Sequence, residues 1–240
     1  MLVLILTLSE MMPVAHAGAM EEILITSDQE RTETERRAAF DRLVQIGFTD
    51  LSILSQVSLD EEGGTRQRWV AIRAMGQVGG IGVEQNLISL MDDPEPAIRT
   101  AAVSALGDVG SSTHSARVAS GLQDPAIIVR AAAAEALGKL RDPSTINALG
   151  DALVDPDYYH RGTSLWVRRH YVVALGEIGN INALPTLLIA MDDDDPEVAR
   201  ATISAFERIA NFTFSDGRDT DEERTAWKRW ASAQIQSRGL

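Results

Sequence analysis

The chain has 240 residues, of which 45% are hydrophobic and none is cysteine, and its formal net charge at pH 7 is −13. This length and hydrophobic content allow a sizeable buried core, whereas the lack of cysteine excludes disulfides, thiolate metal sites and a cysteine nucleophile. An acidic surface repels phosphate groups, so we expect no nucleic acid partner and no docking to anionic lipid.

The first residues are typical of a secretory signal peptide. An apolar run covers residues 2–8, and the Ala-His-Ala sequence at 15–17 fits a cleavage site. The run is far shorter than the roughly 20 residues that span a bilayer, so no membrane insertion is expected. No basic residue precedes the run, and Glu10 follows it closely. We predict that residues 1–17 direct export to the periplasm or the medium, with a cytoplasmic location as the alternative; residues 18–31 form a short lead.

The central part of the chain repeats itself at a constant interval. Gly76, Gly107 and Gly138 are equally spaced and define a 31-residue period, and Gly176 follows at that interval plus seven extra residues. Six copies can be aligned, the first and last of them divergent. We therefore predict a repeat region at residues 32–210 that contains an insertion at 157–166, and a C-terminal loop and capping helix at 211–240.

Each copy contains two helical patterns. In the first pattern, small and apolar residues recur at helical spacing, as in Ala102, Ala105, Leu106 and Val109. A glycine ends this helix, a shorter apolar helix follows, and an Asp-Pro pair such as 93–94 starts the next copy. Neither helix can bury its apolar stripe alone. The pattern predicts an all-α fold, a right-handed alpha solenoid (an ARM/HEAT-type superhelix) of about six two-helix repeats.

The repeat resembles a known family. The segment DPAIIVRAAAAEALGKL, residues 124–140, is similar to the signature of short HEAT-like repeats, found in bacterial and archaeal HEAT-repeat proteins and in the phycobilisome-lyase family. The resemblance implies the solenoid fold, and it implies an Asp and an Arg that bond between neighbouring copies. The matching residues are Asp93, Arg99, Asp124 and Arg130. Trp69 and Ala199 mark copies that depart from the pattern, and the signature says little about function.

Catalytic motifs known on such scaffolds do not match this sequence. Deoxyhypusine hydroxylase binds iron through His-Glu pairs, and no histidine here is followed by glutamate. DNA glycosylases with HEAT-like repeats need a basic groove, whereas the second helices here carry Glu84 and Asp151. The acidic run 192–195 precedes a helix, where carboxylates favour the macrodipole, and this explanation is preferred over a calcium site. We expect no catalytic residues, no metal and no cofactor.

The insertion collects aromatic and basic residues. The candidate partner-binding residues are Tyr158, Tyr159, His160, Arg161, Trp166, Arg169 and His170. Tyrosine, tryptophan and arginine are the residue types that dominate binding hot spots. A neutral insertion of this length costs only roughly 0.9 kcal/mol in loop entropy, so its length alone is no evidence of function. The alternative is packing, in which Trp166 and Tyr171 turn inward at the start of a helix.

The last helix carries two tryptophans on one face. Trp227 and Trp230 are three residues apart, and a TDEE capping box at 220–223 precedes them. We predict that they cover the end of the core, as the terminal caps of solenoids do, with a docking face as the alternative.

Taken together, the sequence favours a non-catalytic HEAT-repeat scaffold. It would bind a protein or peptide through its concave face and the aromatic and basic loop at 157–171. The alternative hypothesis is a bilin-lyase-like protein that binds a tetrapyrrole and acts on a client protein, since His160 and Arg161 could hold a pigment. A purely structural spacer is a third possibility.

Overall fold

The computed structural model describes residues 14–80, 82–155, 159–160, 163–164, 166–214 and 221–240. The chain forms two compact units, which meet in the sequence between Val109 and Gly110. Most of the predicted signal peptide lies outside the described residues.

The N-terminal unit is built from helices in two rows. Its helices are α1 (Val14–Ser27), α2 (Glu33–Gly47), α3 (Ser52–Leu59), α4 (Thr65–Val78), α5 (Val83–Leu90) and α6 (Pro96–Val109). The first helices of successive copies, α2, α4 and α6, pack side by side, and the second helices α3 and α5 form the other row. The apolar stripes meet between the rows, where Leu43, Ile72 and Met75 are fully buried.

The lead before the first copy is helical. Helix α1 packs against α2 and also contacts α3 and α4. Its own Ala19 and Ile23 are fully buried, and the His16 Nε2 atom lies 2.8 Å from the Ser52 hydroxyl. The helix therefore runs through residue 17, the position of the predicted cleavage, and covers the apolar side of the first copy.

The C-terminal unit has the same two rows. Its helices are α7 (Ser115–Ser120), α8 (Ile127–Leu140), α9 (Ile146–Val154), α10 (Val167–Ile178), α11 (Leu184–Ala190), α12 (Pro196–Ala210) and α13 (Asp221–Arg238). The first helices α8, α10 and α12 pack in sequence order, and α9 and α11 line the second row. Short 3-10 turns lie at the ends of second helices, at Ser112–His114, Gly121–Gln123, Pro143–Thr145 and Ile181–Ala183.

Helix starts and ends are marked by capping groups. Asp195 caps α12 by accepting a 2.9 Å hydrogen bond from the Glu197 amide, and Pro196 occupies the first turn. Thr32 and Glu35 form a capping box at α2, and hydrogen bonds from Thr32 lower the pKa of the Glu35 carboxyl. Gly179 ends α10 with φ at 68°, a left-handed conformation that favours glycine.

The glycines inside the first helices permit close helix contact. A Cβ atom at Gly76 would lie 2.8 Å from the Cβ of Ala105, and one at Gly176 would lie 2.8 Å from the Cβ of Ala205. These distances are too short for real contacts, so only glycine allows α4 to approach α6, and α10 to approach α12, this closely. Close packing therefore explains why glycine stands inside these helices despite its cost there.

A buried Arg-Asp pair joins neighbouring copies in each unit. Arg68 is paired with Asp93, and Arg168 with Asp193, and in both cases the aspartate precedes the first helix of the next copy. Each arginine also donates to a carbonyl at the end of the preceding second helix, as Arg168 does to Leu153 at 2.9 Å. By contrast, Arg99 donates to the backbone carbonyl of Asp93, six residues before it.

The end of the fold is closed by aromatic rings. Trp227 on α13 is fully buried, and its ring stacks on Phe206 at 5.8 Å and on Phe212 at 5.4 Å. Trp230 meets the ring of Trp227 edge-on at 5.4 Å. The predicted terminal cap therefore exists, although Thr220 of its predicted capping box lies outside the described residues.

The predicted all-α architecture agrees with the helices found, with one small addition. Tyr159–His160 and Thr163–Ser164 form a two-stranded antiparallel hairpin, β1 and β2, within the insertion. Tyr159 pairs with Ser164, and His160 pairs with Thr163. No sequence pattern predicted this hairpin, because the two strands are too short to show an alternation of polar and apolar residues.

Candidate partner-binding surface

The predicted binding residues fall into two groups. Tyr158 and Arg161 lie outside the described residues, and Tyr159 and His160 are described only as backbone of β1. Trp166, Arg169 and His170 lie at the start of α10, and the structure describes their side chains. The side-chain geometry of the predicted site is therefore described for those three residues.

Trp166 lies on the surface and contacts His170. It is the residue just before α10, and 49% of its surface is exposed. Its ring meets the His170 ring edge-on with centroids 5.1 Å apart, and the His170 Nδ1 atom lies 2.9 Å from the Glu135 carboxylate on α8. The alternative in which Trp166 packs inward is therefore wrong. The Trp166 ring therefore packs on the His170 side chain, which is bound to Glu135 on α8.

Other members of the aromatic and basic cluster belong to the core. Tyr171 is fully buried, and Arg168 is 1% exposed in its pair with Asp193. Each residue of a helix is rotated by about 100° from the previous one, so neighbours in sequence face different sides. The inward packing considered for Tyr171 is confirmed, and only part of the cluster is available to a partner.

Arg169 lies between two grooves on the row of first helices. Arg169 and Val173 line both grooves. The α8/α10 groove has a volume of about 330 Å³ and is also lined by Glu135, Lys139, His170 and Glu177. The α10/α12 groove has a volume of about 250 Å³ and is also lined by Glu197, Arg200, Ala201, Ser204, Ala205 and Arg208. The two grooves therefore lie on opposite sides of the Arg169 and Val173 side chains of α10.

The α10/α12 groove carries an excess of positive charge. It is lined by three arginines and one carboxylate, that of Glu197, which pairs with Arg200. Arg208 lies 4.0 Å from Glu177 at the edge, and no described carboxylate lies within ion-pair distance of Arg169. This local excess contrasts with the net charge of −13 of the whole chain.

The sequence analysis did not identify Arg200 and Arg208. A usable signal existed, since Arg169 and Arg200 are one repeat period apart and so occupy the same position in successive copies. Equivalent positions in stacked repeats lie side by side, and this would have placed the two guanidinium groups together. Arg200 and Arg208 are far from the insertion in sequence, which is why the composition of the insertion does not reveal them.

The row of second helices, where a concave binding face was predicted, has a different surface. Val154 at the end of α9 is 45% exposed, and Ile189 on α11 is 62% exposed. Asp151 lies exposed near them, so this row combines single apolar side chains with negative charge. Isolated exposed apolar residues are ordinary on protein surfaces, so this row is the weaker candidate.

Three aspartates of the acidic run 192–195 form ion pairs or cap a helix. Asp193 is paired with Arg168, Asp195 caps α12, and Asp192 binds Lys228 on α13. Across the described residues, no group of three or more His, Asp or Glu side chains is arranged to hold a metal ion. None of the helices in the described part of the chain is both long enough and apolar enough to span a membrane.

The comparison with protein families decides the classification. A model described as HEAT repeats matches residues 52–126, 84–165 and 115–207, which together cover more than half of the 240 residues. The chain belongs to the HEAT-repeat family. The resemblance found in the sequence is confirmed. No curated protein matches this HEAT-repeat chain.

Solved structures support the same fold. An engineered protein is 18% identical, with 82% of this chain and 90% of that chain covered and a TM-score of 0.53. A designed armadillo repeat protein is 17% identical, with 79% and 98% covered and a TM-score of 0.50. At these identities the likeness shows the fold alone, and it confirms the ARM/HEAT alpha solenoid class.

A third similar structure is the complex of CpcE and CpcF of phycocyanin lyase from Nostoc sp. PCC7120. It is 16% identical, with 90% of this chain and 94% of that chain covered and a TM-score of 0.40. A likeness this weak carries no argument about the function of this HEAT-repeat protein. The tetrapyrrole-binding alternative therefore stays a prediction.

Proposed function

We propose that this HEAT-repeat protein is a non-catalytic scaffold that binds a protein or peptide partner on its row of first helices. The observation that carries the proposal is a half-exposed tryptophan, Trp166, one turn before Arg169, which lies at the junction of two grooves. Tryptophan and arginine are the side chains that most often supply the energy of protein interfaces.

The surface is held in place before a partner arrives. Helix α10 packs between α8 and α12, and its buried arginine anchors its first turn to the next copy. The Trp166 ring rests against His170, which is held by Glu135. A side chain that is already positioned loses less conformational entropy on binding, and this favours affinity.

The chemistry of the surface suits recognition better than catalysis. The grooves are lined by long charged side chains and open to solvent on one side, and His170 has its Nδ1 atom engaged with Glu135. Electrostatic stabilisation by oxyanion donors is strongest in a site that excludes water. Binding through long charged side chains and one aromatic anchor has no such requirement.

A capture experiment with two matched variants tests the proposal. Three baits are immobilised: the full chain, a Trp166→Ala/Arg169→Ala variant and a Val154→Ser/Ile189→Ser variant. Circular dichroism first shows that the three have equal helicity, and each is then incubated with the same cell extract. We expect a protein that is retained by the wild type and by the second-helix variant but lost from the first-helix variant, as identified by mass spectrometry.

The controls separate the possible faces. If the partner is instead lost from the Val154→Ser/Ile189→Ser variant, the contact lies on the row of second helices. Retention of the same proteins by all three baits, or retention of none by the wild type, would contradict the scaffold function.

A further inference from the structure

The α10/α12 groove places three guanidinium groups around a floor of small side chains. Arg169 and Arg200 occupy equivalent positions on neighbouring first helices, and Arg208 lies eight residues after Arg200, on the same face of α12. Val173, Ala201 and Ala205 line the space between them. The groove is therefore shallow and apolar at its base and positively charged at its rim.

This charge distribution is unusual for the molecule. The chain has 22 Lys and Arg residues against 35 Asp and Glu residues, yet three arginines line one groove together with a single glutamate. Arg200 is partly neutralised by Glu197, whose side chain is 56% exposed, and Arg208 by Glu177, whose side chain is 37% exposed. Exposed ion pairs of this kind are weak and exchange readily with a competing carboxylate.

The surroundings of the groove restrict the size of the partner. A large acidic macromolecule, such as a nucleic acid duplex, would be repelled by the negative charge of the rest of the chain. A short extended segment of protein contacts the groove and little else. It is therefore attracted by the arginines and only weakly repelled by the acidic rest of the chain. Trp166 packs on His170 of the α8/α10 groove and does not line the α10/α12 groove, so the arginines and the small side chains between them are the contacts offered to such a segment.

We infer that the partner presents an acidic peptide segment whose carboxylates bind Arg169, Arg200 and Arg208 in the α10/α12 groove. The inference rests on the proposed scaffold function and adds the chemical class of the partner. Arginine suits this role because its planar guanidinium group binds a carboxylate through two parallel hydrogen bonds.

Fluorescence anisotropy with the full chain tests the inference. The probes are a fluorescein-labelled glutamate peptide with one central leucine, its glutamine counterpart, and a labelled DNA duplex. We expect the glutamate peptide alone to bind, and an Arg200→Gln/Arg208→Gln variant to bind it about tenfold more weakly. Binding should weaken further as salt is raised, since screening reaches the exposed charges.

A matched variant separates local contacts from net charge. Arg37 and Arg238 are exposed and line neither groove, so Arg37→Gln/Arg238→Gln removes the same two charges elsewhere. This variant should bind the glutamate peptide within about twofold of the wild type, since it retains the arginines of the groove. Equal weakening in both variants, equal binding of the glutamate and glutamine peptides, or tighter binding of the DNA duplex would overturn the inference.

The outcome also distinguishes this inference from the proposed function. If the glutamate peptide does not bind but partner capture still depends on Trp166 and Arg169, the acidic partner is wrong and the scaffold stands. If the peptide binds as expected while the immobilised chain captures no protein, the groove is confirmed as an acidic peptide site and the scaffold function is contradicted.

Discussion

Arg168 and Arg169 are adjacent in the sequence and have opposite roles. Arg168 is buried, bonds to Asp193 in the next copy and donates to the Leu153 carbonyl, whereas Arg169 is exposed between two grooves. The difference arises from the rotation of about 100° between successive helix residues. The role of a basic residue in this chain therefore depends on its position in the repeat and not on its neighbours in sequence.

The buried arginine should be far more important for stability than an exposed one. Arg168→Met leaves the Asp193 carboxylate buried without its partner, and such a loss costs about 3–5 kcal/mol of unfolding free energy. The matched control is Arg200→Met, which breaks an exposed pair with Glu197 and should cost less than about 1 kcal/mol. Urea unfolding followed by circular dichroism measures both. Equal losses in the two variants would show that the Arg168 pair is not a structural link.

At the scale of the helix, the repeat depends on close approach between first helices. Gly176 and Ala205 bring α10 and α12 together, and Gly76 and Ala105 do the same for α4 and α6. Glycine in a helix interior is intrinsically unfavourable, so the closer packing must offset the cost of its flexibility. The floor of the α10/α12 groove is narrow because Ala205, which takes part in this contact, also lines the groove.

Two glycine substitutions should change stability in opposite directions. Gly176→Ala places a methyl group 2.8 Å from the backbone of Ala205, and such overpacking should cost about 1–3 kcal/mol despite the better helix propensity of alanine. Gly18→Ala on α1 is the control, since its added Cβ would meet only Ile46 at 3.9 Å. It should stabilise the fold by about 0.5–1 kcal/mol.

Thermal unfolding measures both glycine variants under the same conditions. A rise in Tm for Gly176→Ala would show that α10 and α12 can separate without loss. In that case the position of Arg200 relative to Arg169 would not be fixed by the packing of these two helices.

For the whole molecule, charge is the dominant global property. The chain carries a net charge of −13 at pH 7, and its sequence pI is about 4.7. Like charges spread over a folded surface destabilise the compact state through their mutual repulsion. The basic α10/α12 groove is a local exception to this field, and this is why its ligand should be acidic and small.

Salt should therefore stabilise the protein. Raising NaCl from about 0.02 to 0.3 M shortens the screening distance and should raise the Tm by roughly 3 °C. Differential scanning calorimetry at fixed pH 7 provides the measurement. A decrease in Tm with added salt would mean that the ion pairs contribute more to stability than self-repulsion removes, contrary to this expectation.

Much of the architecture was predictable because its signals are local. The helix caps at Thr32 and Asp195 and the glycine at 179 depend on a few neighbouring residues, and the 31-residue period is visible when the copies are compared along the chain. The hairpin at Tyr159–His160 and Thr163–Ser164 was not predicted, because two-residue strands leave no periodic pattern. Export and cleavage of the N-terminus remain predictions.

The family, the order of the repeat helices and the apolar face of each helix can be predicted from the sequence, because periodicity and caps are properties of short segments. The side chains that meet across helices become known only in the packed fold. The fold places Arg168 in the core and groups Arg169 with Arg200 and Arg208 around one groove. These contacts join residues from different helices, so they depend on packing distances that no single segment encodes.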